Sequence, residues 1–457
     1  MGPEQVTRRI RPSLPAGPYL VLGLARSGEA AALALRARGQ EVIGVDAGAG
    51  DRADLMAASG RLRAAGVEVH LDASGEALAA RAGTLIKSPG VPQSVPLVRA
   101  ARARGIPVVG ELELAWRLLA NGFIAVTGTN GKTTTAEWIG HIYRAAGAPV
   151  AVAGNVGTAL SSLVGSEPPE STIVCEASSF QLEDTEAFEP EVAVLLNLTP
   201  DHLDRHGDFD AYVEAKRRVF MRQQSDDFAV LPDDLELEPG GAAVQLRFGR
   251  SPGAALQLDG GELRWRGEPL LAASQISLPG AHNVQNAMAA AAACLARQLS
   301  PAAVAEGLRT FAGVSHRLEL VATRGGVRYV NDSKATNVDS TQVALRSFPR
   351  GIRLILGGQG KSQDFRPLLP LVSERCTEVY LIGEDAELIH AALAGAGVPL
   401  RCAGDLEQAV TVASERAVAG DVVLLSPACA SFDQYRDYEA RGQHFRALAL
   451  SLPERNG

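Results

Sequence analysis

Lysine is scarce in this chain, and its positions are informative. Of 44 lysines plus arginines, five are lysines, at 87, 132, 216, 334 and 361, which leaves 39 arginines. A lysine kept against such a bias suits work a guanidinium cannot do, as a compact point charge or as an amine that can lose its proton. Lys132 stands in AVTGTNGKTTT, residues 125–135. There Gly128, Thr129, Asn130, Gly131, Lys132, Thr133 and Thr134 read as a loop for a polyphosphate. Successive backbone N–H groups, the dipole of a following helix and the ammonium all favour anionic oxygens, and the Thr133 hydroxyl can hold Mg2+. Val126 replaces the first glycine of the strict pattern, so the loop is a variant one.

Two further stretches carry groups suited to the same chemistry. In VCEASSFQLE, Glu176 closes an apolar run, where Mg2+ beside a phosphate loop needs a carboxylate, and Ser178 and Gln181 follow. In TPDHLDRHGDFDAYVEAKRRVF, His202 lies among aspartates in a loop that reads as hydrated; the aspartates suit a metal, whereas a lone histidine there suits a structural role. Phe209, Val213, Lys216 and Phe220 are spaced for one helical face, which puts Lys216 on an apolar stripe with Arg217 and Arg218 outward. A buried lysine loses its proton easily. The neutral amine can then add CO2 to give a carbamate, an anionic metal ligand. The plainer reading is a lysine snorkelling from the stripe edge, and the residues alone favour it.

The remaining candidates are weaker one by one. GLARSG (residues 23–28) has Ala25 where a dinucleotide fingerprint has its middle glycine, and Asp46 ends the next strand. This suits a nucleotide at a helix N-terminus and a ligand-free turn about equally. HNVQNA offers Asn283 and Asn286 at a helix start, as caps or as ligand contacts. VSHRLELV offers His316 and Arg317, and VNDSKATN offers Asp332, Lys334 and Thr336. LGGQGKSQDF carries Lys361, and SPACASFDQYRDY carries Ser431, Phe432 and Tyr438. Lys87 precedes an SPG loop at a strand end and is expected to reach toward phosphates bound there.

These residues need elements to position them. Strand, glycine turn, helix and strand alternate through residues 19–46, and apolar β-branched runs ending in polar loops recur at FIAVTG, TIVCEASS and EVAVLLNLTPDH. Such runs fit buried parallel strands with ligand loops at their carboxyl ends. A third alternation runs through GVRYVND, IRLILGG, EVYLIGED and DVVLLSPAC. The fold class is α/β with three domains, 1–110, 111–313 and 314–457. The net charge of −8 argues against a duplex-DNA partner. No apolar run reaches a membrane span. Five scattered cysteines without metal spacing suit reduced thiols in a cytoplasm. A nicotinamide-dependent oxidoreductase, resting on GLARSG and Asp46, leaves the second phosphate loop unused. A non-catalytic P-loop switch leaves Lys216, Lys334 and Lys361 idle.

TGTNGKTTT, GNVG, SSFQLE, DHLDRH with EAK, HNVQNA, HRLE, NDSKATN, GGQGKS and SPACASFDQY occur in that order over almost the whole chain. Together they resemble the Mur ligase superfamily, most closely its branch that joins D-glutamate to UDP-N-acetylmuramoyl-L-alanine. No DNPR-like motif of the diaminopimelate-adding branch is present. The resemblance implies a Rossmann-like first domain for the UDP-substrate, a central P-loop-type domain with a mainly parallel sheet for ATP, and a Rossmann-like last domain that brings the amino acid and helps close the site. It implies that Arg26, Ser27, Asp46, Gly90, Asn155, Ser178 and Gln181 contact the UDP-substrate. It assigns the loop 128–134, Asn286, Arg317 and Asp332 to ATP. Thr133, Glu176, His202 and a carbamylated Lys216 would hold two Mg2+ ions, with Mn2+ as an alternative, and Lys334 would touch phosphate. Thr336, Lys361, Ser431, Phe432 and Tyr438 would form the D-glutamate pocket. A cytoplasmic monomer without nucleic-acid or membrane partners is expected. Folylpolyglutamate-synthase-like and alanine-adding relatives fit SSFQLE and SPACASFDQ poorly.

Overall fold

The computed structural model describes residues 10–48, 53–155, 157–360 and 363–453. The chain divides into two compact units, Met1–Ala312 and Gly313–Gly457.

The first unit holds two sheets. One has five parallel strands in the order Glu68–His70, Val42–Val45, Tyr19–Leu22, Thr84–Lys87 and Val108–Gly110. Leu20, Val21, Ile43, Val45, Leu85 and Ile86 are essentially without solvent contact, as expected for strands covered on both faces. The second sheet has nine strands, in the order Glu268–Ala272, Glu262–Trp265, Leu256–Asp259, Val244–Gly249, Phe228–Pro232, Val192–Leu195, Phe123–Thr127, Thr172–Glu176 and Val150–Gly154. It is parallel from Leu256–Asp259 to Val150–Gly154, and the two remaining strands add an antiparallel hairpin edge.

Phe123–Thr127 lies between Thr172–Glu176 and Val192–Leu195, with Val126 opposite Glu176 and Thr127 opposite Leu195. The carboxyl ends of these three strands therefore open together, where doubly wound sheets place ligands. The helix Lys132–Ala145 starts directly from the first of these loops and packs against the helix Ala281–Ala296. The alanine run of the latter is buried, and small side chains allow the close approach.

The second unit has a six-stranded sheet in the order Glu319–Arg324, Val327–Asn331, Val422–Leu425, Ile352–Gly357, Cys376–Ile382 and Leu400–Gly404, antiparallel only at its first pair. Alternate residues feed two cores. Leu354, Leu356, Val379 and Leu381 face one, and Ile355, Tyr380 and Ile382 the other. The edge strands Val150–Gly154, Glu268–Ala272, Glu319–Arg324 and Leu400–Gly404 are absent from the sequence reading. They are half-exposed, so their apolar signal is weak.

Candidate functional site

The phosphate loop is a braced bend. Gly128 and Gly131 have φ of 142° and 86°, and a Cβ on Gly131 would stand 2.3 Å from Asn286 Oδ1. Only glycine lets the loop and that asparagine share the space. The segment after Leu195 holds the loop in shape. Thr129 N donates to Asn197 O (3.0 Å), Asn130 N to Asn197 Oδ1 (2.9 Å) and Thr199 N to Thr129 Oγ1 (3.0 Å). Lys132 Nζ donates to Gly128 O and Thr129 O (2.9 and 2.8 Å), closing a ring over the loop's own carbonyls.

Glu176 sits beside the first turn of the helix Lys132–Ala145. Its Oε2 accepts from Thr133 Oγ1 at 2.7 Å, and its Oε1 accepts from Asn155 Nδ2 at 3.0 Å. Glu176 and Thr133 are buried, whereas Asn155 is exposed.

Lys216 is 2% exposed, so it does not snorkel. Its Nζ donates to Gly128 O at 2.8 Å and lies 4.7 Å from the Tyr212 ring centroid. Burial, and then the positive charge of Lys132, push the amine down to about 6. The buried face of its helix, Phe209–Arg217, runs through Tyr212, Ala215 and Lys216 rather than through Phe209 and Val213. The hydroxyl of Tyr212 lies 3.0 Å from Thr129 Oγ1, and this contact turns the helix toward the loop. The sequence reading missed Tyr212, although it lies four residues before Lys216.

Loop 128–134, Glu176 and Lys216 thus gather at one place. His202 stands apart from them in its contacts. It is exposed, has a left-handed φ of 52°, and lies near Asp201 (3.5 Å) and the Phe180 ring (centroids 4.8 Å). Asn286 reaches the loop at Gly131, while the N-cap of its helix is Gly280, so neither asparagine caps.

Several expected substrate contacts have local structural duties. Asp46 accepts from Leu24 N and Gly48 N, both at 2.7 Å, and so holds the first glycine turn. Ser178 and Gln181 form a reciprocal capping box on the helix Ser179–Leu182. Arg26 is exposed and donates to Gly157 O at 2.6 Å, with Ser27 half-buried beside it. A cleft of about 520 Å³ opens there, lined by Arg26, Glu29, Leu33, Thr158, Ser161 and Val164. Gly90 is exposed, with open space where a Cβ would stand. Lys87 corrects its expectation. It is wholly buried and ion-paired with Asp184 at 2.8 Å, because a lysine at a strand end inside the unit cannot leave its charge unpaired.

In the second unit, Asp332 is buried. Its Oδ1 accepts from Leu318 N (3.1 Å) and its Oδ2 from Ser426 Oγ (2.7 Å), and burial raises its carboxyl to about 7. Arg317 adjoins it between two left-handed residues, His316 and Leu318. Lys334 and Thr336 are half-buried. Ser431 is buried with an Oγ that has no hydrogen-bond partner among the described residues, Phe432 is 63% exposed, and Tyr438 begins the helix Tyr438–Ser451. Lys361 lies outside the described residues.

Arg441 is the residue sequence reasoning passed over here. It is 1% exposed and donates to Ser333 Oγ, Ser333 O and Cys429 O at 2.9–3.0 Å. It thereby ties the NDSKATN loop to the SPACAS loop, and burial lowers its guanidinium to about 10.

The match to known proteins follows these features. Residues 126–294 match the Mur ligase middle domain, and residues 316–429 match the Mur ligase, glutamate ligase domain. UDP-N-acetylmuramoylalanine--D-glutamate ligase of Acidobacterium capsulatum is 44% identical, over 94% of this chain and 96% of its own. The protein of the same name from Pelotomaculum thermopropionicum is 42% identical, over 95% and 97%. Among solved structures, UDP-N-acetylmuramate-alanine ligase MurC from Thermotoga maritima aligns with a TM-score of 0.56 at 20% identity, over 95% of this chain and all of that one. MurF ligase from Thermotoga maritima aligns at 0.55 and 19%, over 89% and 93%. With the family signatures in both units and full-length relatives above 40% identity, the chain belongs to the Mur ligase family and groups with its UDP-N-acetylmuramoylalanine--D-glutamate ligases.

Proposed function

We propose that this chain is an ATP-dependent ligase that joins D-glutamate to UDP-N-acetylmuramoyl-L-alanine, releasing ADP and phosphate. One observation carries the reading. The likeness to ligases of that printed name runs over 94% of this chain and 96% of the relative, so it covers both units and not a shared nucleotide module alone. In this reading residues 1–110 hold the UDP-substrate, 111–313 hold ATP and 314–457 hold the amino acid.

A carboxylate forms an amide once its oxygen is made a leaving group, and transfer of the γ-phosphoryl to it gives an acyl phosphate. The amine of D-glutamate then attacks the acyl carbon, and phosphate departs. Because two anions must approach, positioning and charge neutralisation do most of the work. Loop 128–134 offers its N–H groups, and Lys132 exchanges two loop carbonyls for phosphate oxygens. Asn286, Arg317 and Asp332 are further proposed nucleotide contacts, and Lys334 a proposed phosphate contact. Arg26, Ser27, Asp46, Gly90, Asn155, Ser178 and Gln181 are assigned to the UDP-substrate. Thr336, Lys361, Ser431, Phe432 and Tyr438 are assigned to D-glutamate.

The residues fit Mg2+. Thr133 and Glu176 present hard oxygens within 2.7 Å of each other at a helix start. Among the described residues no three His, Cys, Asp or Glu gather as a metal cage. Mg2+ suits such a sparse site, because it takes one or two carboxylates and completes its shell with phosphate and water. Thr133, Glu176, His202 and Lys216 would hold the two ions, with Mn2+ as an alternative. When bound, the metal neutralises phosphate charge. The amine of Lys216 is largely neutral at physiological pH, so it can take up CO2, lose a proton and become an anionic carbamate.

Phosphate release with UDP-N-acetylmuramoyl-L-alanine is the deciding assay. D-glutamate should support it, and L-glutamate, L-alanine and meso-diaminopimelate should not. Release with another of these acceptors in place of D-glutamate would overturn the assignment.

A further inference from the structure

Lys87 and Arg205 have no part in the chemistry above, yet both grip one short loop. Lys87 Nζ donates to Val91 O at 2.8 Å, and Arg205 donates to Val91 O at 3.2 Å and to Pro89 O at 2.9 Å. The loop between them, SPGVPQ, follows the first sheet's strand Thr84–Lys87 and contains Gly90. Asp184, in the segment after the helix Ser179–Leu182, anchors the other side. Its Oδ2 pairs with Lys87 at 2.8 Å, and its Oδ1 accepts from Gln93 Nε2 at 2.7 Å.

Arg205 belongs to the short helix Leu203–His206, and the residue that starts this helix is His202. The same helix is pinned at its far end, where His206 Nδ1 lies 2.8 Å from Glu183 and Nε2 lies 3.0 Å from Ser179 Oγ. The guanidinium of Arg205 also lies 3.9 Å from the Phe180 ring centroid. The backbone that carries His202 is thus fastened on one side to residues 179–184 and on the other to residues 89–91.

The residue types say what such a fastening is for. Lys87 and Asp184 are 0% and 2% exposed, and a buried ion pair adds little net stability over an apolar pair of like size. It does supply direction, since donors aimed at particular carbonyls set a register that apolar contact leaves loose. We propose that Lys87, Asp184 and Arg205 form a clamp that couples the 88–93 loop to His202, so that a UDP-substrate seated on the loop sets the phosphate end of the site. They are positioning residues. The inference rests on the functional reading above, which puts Gly90 at the UDP-substrate and His202 at the metal and phosphate end.

Two measurements test it on the full chain. In the ligand-free protein, Arg205→Met should speed amide exchange in residues 88–93 about tenfold and leave the strand Phe123–Thr127 unchanged. Unchanged exchange in 88–93 overturns the clamp whatever the substrate is. The second measurement is the calorimetric Kd of the β,γ-imido analogue of ATP, which cannot transfer its γ-phosphoryl group, with Mn2+, without and with UDP-N-acetylmuramoyl-L-alanine. The wild type should show a coupling of about fivefold or more. In Arg205→Met and in the double variant Lys87→Met/Asp184→Leu the coupling should collapse, while each ligand alone keeps its affinity. Wild-type coupling in both variants overturns the proposal. If Arg205→Met does not fold, the double variant carries both measurements. A wild type that binds ATP and no UDP-substrate overturns the functional reading, and the exchange result then decides the clamp by itself.

Discussion

Replacing Lys216 by methionine should make the protein more stable while abolishing ligation. With its amine lowered to about 6, Lys216 is mostly neutral at pH 7.5, against about 0.1% for a lysine in water. Folding at pH 7.5 therefore strips a proton from a group that holds it up to about 10.4, at a cost of about 4 kcal/mol. The bond to Gly128 O returns about 1 kcal/mol. Methionine has similar length and no charge, and Gly128 O keeps the ammonium of Lys132 at 2.9 Å. Lys216→Met should then gain about 3 kcal/mol at pH 7.5 in CO2-free buffer. The sign with pH follows from proton counts. Between about 6 and 10.4 the unfolded chain binds more protons than the folded one, so wild-type stability rises with pH by about 1.4 kcal/mol per unit. The gap to the variant should shrink to about 1 kcal/mol at pH 9. Urea unfolding at the two pH values reads this directly, and tryptophan fluorescence suits it because Trp116, Trp138 and Trp265 all lie in Met1–Ala312. Labelled bicarbonate should give the wild type, and not the variant, a carbamate carbon resonance. A gap that stays constant from pH 7.5 to 9, or a variant less stable at both, would refute the burial argument.

Glu176→Gln keeps an acceptor for Thr133 or Asn155 but removes the anion, so kcat for phosphate release should fall on the order of 100-fold while urea unfolding changes little. Arg441→Met should cost about 3 kcal/mol in unfolding experiments, because three carbonyl or hydroxyl acceptors lose a buried cation, and Arg441→Lys should recover part of it. Asp332 is raised to about 7, so the folded chain binds more protons than the unfolded one from about pH 4 to 7, and wild-type stability falls as pH rises through that window. Asp332→Asn should lack this share of the slope, about 1.4 kcal/mol per unit, in urea unfolding followed by circular dichroism, and equal slopes would sink the reasoning.

Much of this protein is determined along the chain itself. Buried parallel strands announce themselves as unbroken apolar runs, and FIAVT, TIVCE and VAVL form adjacent strands for that reason. Loop 128–134 is equally local, since glycines, a lysine and a helix start are contiguous. Glu176 was legible because a strand's end is visible in sequence, and strand order then set it opposite Val126.

What only the tertiary structure decided concerns partners distant in sequence. Lys216 looks like a snorkelling lysine until its helix is packed on Gly128, 88 residues away, and the burial that comes with that packing, beside the charge of Lys132, is what lowers its amine. Lys87 looks like a phosphate ligand until Asp184 arrives from the segment after the helix Ser179–Leu182, 97 residues away. Arg441 draws no notice in the sequence, and its role emerges only when the loops at 333 and 429 close over it. The physical reason is the same in each case. A charged side chain's state depends on the water it loses and the partner it gains, and both are properties of the folded surroundings rather than of neighbours along the chain.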